Sequence, residues 1–493
     1  MNIKDEIKIL ENRIENLSIN EEINVKKEIS SKKFLDAGTY GKVYSISDTM
    51  VVKSQKLFEV NNLNTICLKE ICALSQYSHK YMINITDIKI TSKVRIYMEK
   101  CMSLQNLINN TSKTILLQKL PKIVSQIIEV LYYFENINKV HADLSTNNIT
   151  FDKNGDIKII DYGSFSFNPP LIKEILCTYI FCSPECQPGI FDNKDPKTSL
   201  SPKLDIFSLG IIIKYIIFNH YDEQHLIKSY YLMGTKEFTS NYLEAPSSID
   251  KEFISLWRKM LKMNQTDRIS ASELYHSEYF TKIRKSYKNN ENKENKENKD
   301  LINKNMITTF LNRSNLDKLK DIKFRDINLK MRQIFIYWLY ELSIEFKINE
   351  VLGLAIHILD IYLSKNIDID RSDLQCLGCA VLAISESLIY GLDTNLSEYH
   401  IMSDKSVKIS SLKKMITNVL QSLNYNLYYY TFDQELFNDE KKIDIKTIAY
   451  ICNDHNNSGK SNKQLISIYK NLINDQTLVN EWIKFNKKPT VLV

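Results

Sequence analysis

No run of apolar residues in this sequence reaches the length needed to span a bilayer; the stretch from Leu209 to Phe218 is broken by Lys214. The start, Met1-Asn2-Ile3-Lys4-Asp5-Glu6, is charged and has no apolar region of the signal-peptide kind. Cysteine is sparse, with nine residues scattered over 493, an odd number that forms no disulfide framework. Cys376-Leu377-Gly378-Cys379 has no second pair to complete a zinc site, so it reads as the core face of a helix. A reducing, intracellular setting is expected, with no membrane. The net charge of +6 and pI of about 8.5 are mild and make no case for nucleic acid. Glycine (11) and proline (9) are few beside abundant Asn, Ile and Lys, a usage bias with no bearing on mechanism.

The chain does have enough apolar residues, 43%, to bury real cores, and its length predicts roughly two to four domains. Its most informative stretch is Val140-His141-Ala142-Asp143-Leu144-Ser145-Thr146-Asn147-Asn148-Ile149, followed by Ile157-Lys158-Ile159-Ile160-Asp161-Tyr162-Gly163. Ile149-Thr150-Phe151 alternates like a strand, Asn154-Gly155 reads as a two-residue hairpin turn, and the return strand runs from Asp156 to Ile160. It delivers Asp161 at its end, with Gly163 freeing the backbone just after. Two acids and an amide are thereby held near one point, as oxygen ligands and a proton acceptor for a Mg²⁺-bound polyphosphate.

Upstream, Gly38 and Gly41 in Leu35-Asp36-Ala37-Gly38-Thr39-Tyr40-Gly41-Lys42-Val43 let a hairpin approach phosphates, and Val43 is placed to cover a purine. Met50-Val51-Val52-Lys53 puts a lysine at a strand end, and Asn64 to His79 is helical. Apolar residues at Ile3, Ile7, Leu10, Ile14 and Leu17 predict an amphipathic helix before them. Asn289 to Asp300 is polar and low in complexity, and reads as a solvated linker. Beyond it the pattern is wholly helical: Met331 to Leu342, a helix from Glu350 to Lys365 capped by Asn349, and a central one from Asp373 to Ile389.

The catalytic stretch, the Lys53 strand and the glycine hairpin resemble the motif set of protein kinases. Asn64 to His79 resembles the C-helix of the cyclin-dependent type, and Asp222-Glu223-Gln224-His225-Leu226 through Met233-Gly234-Thr235 a later helix and turn. Met331-Arg332, Ile334, Trp338-Leu339, Leu359 to Ser364, and Leu374-Gln375 with Gly378 and Ala380 resemble the cyclin box. The resemblance implies a multidomain α+β chain: a bilobal kinase fold, with a small β-rich N-lobe and a helical C-lobe, then an all-α cyclin-like domain. The expected divisions are an N-terminal extension (1–30), a kinase domain (31–282), a linker (283–305), a cyclin-like domain (306–437) and a C-terminal helical tail (438–493).

The same resemblance implies serine/threonine phosphotransfer from ATP with Mg²⁺ to protein substrates. Asp143, Lys53 and Glu70 are the implied catalytic residues, and Asn148 and Asp161 the implied metal ligands. The nucleotide site would draw on Leu35, Asp36, Gly38, Thr39, Tyr40, Gly41, Val43, Lys53, Met98, Glu99 and Cys101. Asp205 to Gly210 would anchor the catalytic loop, Arg268 would pair with Glu185, and Arg332 with Asp360. The cyclin-like domain would dock on its own kinase domain, and Met331, Ile334, Trp338, Glu341, Leu374 and Gln375 would bind peptide. The competing class is a non-catalytic kinase–cyclin scaffold. Where most relatives have three arginines that clamp a phosphothreonine, this sequence has Ala142, Lys69 and Ser166, and Lys173 stands at the acceptor position. An activation segment not switched by phosphorylation is therefore expected. Ser145 replaces the family's catalytic-loop lysine, Cys182 an arginine of the substrate pocket, and Ser385 with Ser387 or Leu388 the cyclin residues that grip the C-helix.

Overall fold

The structure is a computed structural model and describes residues 34–38, 41–166, 177–186, 201–218, 248–288, 329–365, 369–427, 444–453, 462–474 and 476–486. The helix expected before residue 31, Thr39, Tyr40, Lys173, the stretch 222–235 and the linker from 289 onward lie outside these residues. Of Asp36 and Gly38 only the backbone is described.

The described residues open with β1 (Phe34–Gly38), β2 (Gly41–Ser45) and β3 (Met50–Gln55), then a small hairpin of β4 (Phe58–Glu59) and β5 (Asn62–Leu63). Helix α1 (Thr65–Gln76) follows, then β6 (Ile85–Ile90) and β7 (Val94–Glu99). An antiparallel sheet in the order β1-β2-β3-β7-β6 results, with α1 beside it. Asn64 caps α1 through its side chain, accepting from the Cys67 N–H. Nearly every residue of α1 is buried, Lys69 and Glu70 included. A helix buried on all sides needs a partner opposite the sheet, and the C-terminal domain supplies it.

The second lobe starts with β8 (Met102–Ser103), α2 (Leu104–Asn110) and the long α3 (Lys113–Asn136). A hairpin of β9 (Ile149–Phe151) and β10 (Ile157–Ile159) pairs with β8. Its turn differs from the expected Asn154-Gly155 pair. Gly155 N–H donates to Asp152 O, and Gly155 then takes a φ of +75°, so the tight turn centres on Lys153-Asn154 and glycine forms the bulge after it. The Asp152 carboxylate drives this choice by accepting from the N–H groups of Asn154 and Asp156. Helix α4 (Lys203–Phe218) is buried throughout, and α5 (Lys251–Met260), α6 (Ala271–His276) and α7 (Glu278–Lys288) complete the lobe. The linker does not begin at residue 283 as expected. Helix α7 continues to Lys288 because Arg284 is buried and Tyr287 donates to Glu129 at 2.9 Å.

The C-terminal domain is a stack of helices: α8 (Leu329–Glu345), α9 (Leu352–Lys365), α10 (Leu374–Tyr390), then β11 (Thr394–Asn395), α11 (Leu396–Met402) and α12 (Ile409–Ser422). Asn349 is no helix cap. It lies in a 3-10 turn (Asn349–Val351) that leads into α9, and its side-chain oxygen is buried without a hydrogen bond. Residues Arg371–Tyr390 are long and apolar enough to cross a membrane, contrary to the reading of the sequence; they lie mostly buried, as the core helix between α8, α9 and α12. Cys376 and Cys379 are on that core helix and buried. Helices α13 (Ile445–Asn453), α14 (Asn462–Asn474) and α15 (Thr477–Asn486) fold back: α13 packs on α8 and α9, and Trp482 of α15 meets Tyr337, Tyr340 and Tyr450.

The two bodies meet at α1 and the β4–β5 hairpin. β11 adds to β5 to make a three-stranded sheet, Thr394 opposite Leu63 and Asn395 opposite Asn62. Asp393 accepts the Thr65 N–H at 2.8 Å, at the start of α1. The Thr65 hydroxyl meets Ser387 and the Leu392 carbonyl, while Ser385 is buried with no partner for its hydroxyl. Val60 at the hairpin tip has a φ of +52°, rare for a β-branched residue, and its carbonyl accepts from Lys413. Further along, Tyr425 and Gln421 donate to the β6 carbonyls of Ile88 and Ile90.

Arg332 and Asp360 form the expected pair, bonded twice at 2.7 and 2.8 Å, with Arg332 also on the Cys452 carbonyl. Both side chains are largely out of solvent, at 8% and 14% exposure. Removing one partner strands the other charge. Asp360→Ala is therefore expected to destabilise the C-terminal domain by about 3 kcal/mol or more, read as a lower midpoint in chemical denaturation, with Arg332→Met/Asp360→Leu losing much less.

Candidate functional site

Strand β3 alternates its side chains, so Lys53 and Gln55 face α1 together. Lys53 sits within the strand, two residues short of its end. Its ammonium donates to Glu70 at 2.7 Å and to Asp161 at 3.1 Å, and Gln55 donates to the other Glu70 oxygen at 2.8 Å. Burial opposes the Lys53 charge, but the Glu70 and Asp161 carboxylates outweigh it and hold the pKa above the ordinary lysine value. Burial pushes Glu70 up despite Lys53, whereas at Asp161 the Lys53 charge wins and the pKa falls. Gln55 was not singled out from the sequence, although its spacing of two from Lys53 is the signal that would have found it.

The loop that carries His141 to Asn148 is held from below by α4. Asp205 accepts the N–H groups of His141 and Ala142 at 2.7 and 2.9 Å. Ala142 has a φ of +66°, so the Asp205 carboxylate fixes a backbone shape that the residue would not choose alone. Burial lowers the His141 pKa, and its Nε2 meets the Ile160 carbonyl at 3.0 Å. Asp161, at φ +64°, is a second left-handed residue. Gly163 is needed for space rather than for a positive φ: a Cβ there would overlap the Ile66 side chain of α1.

Asp143 is partly buried, and one of its oxygens accepts both the N–H and the hydroxyl of Thr178, each at 2.7 Å. Asn148 donates its amide to the other carboxylate oxygen at 3.1 Å and to the Asp143 carbonyl at 2.8 Å. Burial raises the Asp143 pKa to about 6, against these hydrogen bonds. With its nitrogen engaged, Asn148 presents its carbonyl oxygen, and Asp161 adds a carboxylate. Such oxygen donors suit Mg²⁺, which takes one or two carboxylates and leaves the rest to water and phosphate. No group of three His, Cys, Asp or Glu suited to a metal occurs among the described residues. Ser145 is buried and its hydroxyl accepts the Asn148 N–H at 3.3 Å, so it shapes the loop.

Of the nucleotide residues expected from sequence, those that the structure describes lie on the β1–β2 hairpin, on β3, on β7 and just after it. Gly38 pairs with Gly41 across the β1–β2 hairpin, Asp36 pairs with Val43, and Leu35 sits at a bulge. Met98 is buried on β7, and Glu99 and Cys101 follow it, half-buried. Arg268 grips Glu185 at 2.6 and 2.9 Å. Ala142 lies in a small apolar cluster, and the Ser166 N–H bonds Val140 O while its hydroxyl is buried without a partner. The six expected peptide-docking residues fall on α8 and the first turn of α10. Met331, Ile334, Trp338 and Gln375 are half-buried, Glu341 is exposed, Leu374 is buried, and Gln375 accepts from Ser406.

A five-stranded lobe, a helical lobe and this arrangement of lysine, acids and amide define a phosphotransferase class. The protein kinase domain family matches residues 29–280, and the cyclin N-terminal domain family matches residues 295–428. The chain belongs to the protein kinase family and carries a cyclin domain after it. It is similar to a probable cell division protein kinase of Encephalitozoon cuniculi, 28% identical over 257 residues, 49% of this chain and 92% of that protein. It is also similar to serine/threonine-protein kinase 4 homolog B and serine/threonine-protein kinase pakH of Dictyostelium discoideum, each 26% identical, over 51% and 50% of this chain. It spans only 23% and 48% of the length of those two.

The Thr178 hydroxyl stabilises ionised Asp143, so Thr178→Val is expected to raise the Asp143 pKa from about 6 by about one pH unit. Carboxyl-carbon NMR titration reads this directly, and an unmoved midpoint would contradict the assigned hydrogen bond.

Proposed function

We propose that the chain transfers the γ-phosphoryl group of Mg-ATP to serine or threonine hydroxyls of intracellular proteins, and that its cyclin domain acts in cis on α1. The observation that carries the reading is the placing of two networks side by side, Lys53 with Glu70 and Asp161, and Asp143 with Asn148 and Thr178, the Asp161 charge acting on Asp143. In it, Lys53 orients phosphates, and Asn148 and Asp161 hold the metal. Bound Mg²⁺ and ATP supply the phosphoryl group and neutralise its developing charge. Asp143, aimed by Thr178 and Asn148, orients the acceptor hydroxyl and takes its proton. Thr178 favours the serine/threonine assignment, because tyrosine kinases carry proline there by the family resemblance.

The cis reading rests on the contacts at the start of α1. The Asp393 carboxylate caps the helix that carries Glu70, and the β5–β11 pairing fixes its approach. A cyclin-dependent type of kinase, with its partner on the same chain, accounts for these contacts and for the likeness to a cell division kinase.

Asp161→Ala should lower ATP-dependent labelling of a generic protein acceptor by on the order of 10²-fold or more, and Lys53→Met by as much, together with a loss of stability from the stranded Glu70 carboxylate. Wild-type chain no more active than these variants, with Mg²⁺ or Mn²⁺, would refute phosphotransfer. Asp393→Ala removes a cap worth about 1 kcal/mol and should lower activity roughly five-fold. Unchanged activity in this variant would place control of α1 elsewhere.

A further inference from the structure

Three thiols gather beside the catalytic loop. Cys182 and Cys186 are buried with Val140, Ala142 and Leu204 in a small core of their own, and half-buried Cys177 packs against it. The Cys182 thiol interacts with those of Cys177 and Cys186 within this cluster. It also donates weakly to the Ser183 carbonyl at 3.5 Å, while Ser183 donates to the Cys186 sulfur at 3.4 Å. Ala142 leaves room for this group, because a long side chain at that buried position would occupy the same space. Between Cys177 and Cys182 lies a single 3-10 turn, Tyr179–Phe181. Thr178, next to Cys177, is the residue whose N–H and hydroxyl both hold Asp143.

We propose that Cys177 and Cys182 are a modification site: a dithiol that a hydroperoxide closes to a reversible disulfide, lowering phosphotransfer by drawing Thr178 away from Asp143. The inference rests on the kinase reading for its consequence, but not for its chemistry. Cys177, the more accessible thiol, attacks the O–O bond; the peroxide is reduced to water or an alcohol, and Cys177 becomes a sulfenic acid. The Cys182 sulfur then attacks the Cys177 sulfur. The S–S bond forms, the S–O bond breaks, and hydroxide leaves with the Cys182 proton as water. Two thiols have lost two electrons in all, and the peroxide has gained them. The neighbouring sulfurs and burial raise the Cys182 pKa, so Cys182 is not the thiol that meets peroxide first and acts only once Cys177 beside it is a sulfenic acid. Bringing the sulfurs to bonding distance pulls on the backbone across the turn, and Thr178 lies inside the closed loop. Misplacing a catalytic group by about 1 Å costs on the order of 10²-fold.

The full-length, reduced chain is treated with hydrogen peroxide, then alkylated, digested and mapped, with activity measured before and after dithiothreitol. A Cys177–Cys182 link is expected, with activity falling about ten-fold or more and returning on reduction. Cys177→Ser should keep its reduced activity and resist peroxide, while Cys101→Ser, lacking the thiol near the nucleotide cleft, should stay sensitive. A link between any other pair, peroxide inactivation of Cys177→Ser equal to wild type, or a Cys177–Cys182 link without loss of activity each overturns the proposal. A reduced wild-type chain with no phosphotransfer refutes the kinase reading instead, and the mapped link still reports on the dithiol.

Discussion

The pairing of Lys53 with Glu70 is the interaction on which the active cleft depends. Both groups are buried, so neither tolerates the loss of the other. Glu70 belongs to α1 and Lys53 to β3, and the pair therefore exists only while the helix stays against the sheet. Gln55 satisfies the second Glu70 oxygen, and Asp161 accepts a further hydrogen bond from the Lys53 ammonium, which ties the second lobe into the same network. Any displacement of α1 must break several charge-assisted hydrogen bonds at once. The close approach of Gly163 to Ile66 adds a steric link between α1 and the turn after Asp161.

A second constraint is backbone strain held by carboxylates. Ala142 and Asp161 both sit in the left-handed region, at a cost on the order of 1 kcal/mol or more each. Asp205 restrains the first through two N–H bonds, and Lys53 engages the second. The loop that presents Asp143 is thereby rigid before any ligand arrives, which is what pre-organised catalysis asks of it. Among the described residues, position 142 is an alanine set in a small core of apolar atoms and sulfur rather than a basic side chain.

The cleft was legible in the sequence because its residues lie at fixed offsets from one another and at strand and loop boundaries. Lys53, Glu70, Asp143, Asn148 and Asp161 occupy adjoining positions, and the pairs Arg268–Glu185 and Arg332–Asp360 formed as read. What escaped notice depends on space or on very short elements. Strands of two residues, such as β5 and β11, have no periodicity to detect. Asp393 follows a helix end and carries no local sign that it caps another helix 328 positions away. Asn349 looked like a cap by type, yet the chain enters α9 through a 3-10 turn that leaves no free N–H for it to meet. Asn154-Gly155 looked like a two-residue turn, but Asp152 captured two backbone N–H groups and moved the turn one residue back.

The hairpin of β4 and β5 shows why tethering matters. Val60 holds a left-handed backbone at 88% exposure, so nothing in its own lobe rewards that shape by burying its side chain. Its compensation lies across the domain boundary, where Lys413 meets the Val60 carbonyl, Leu396 donates to the Asn61 carbonyl and Asn61 donates to Ser397. Such polar, partly exposed contacts are individually worth about 0.5–1.5 kcal/mol, too little to join two free proteins against the entropy of association. On one chain the second body is present at an effective concentration of about millimolar. An interface with a Kd of roughly 10 µM is then closed about 99% of the time. The strained hairpin and the capped α1 can therefore be maintained by contacts that would be marginal in trans, which follows from the covalent order of the two domains rather than from the strength of any one bond.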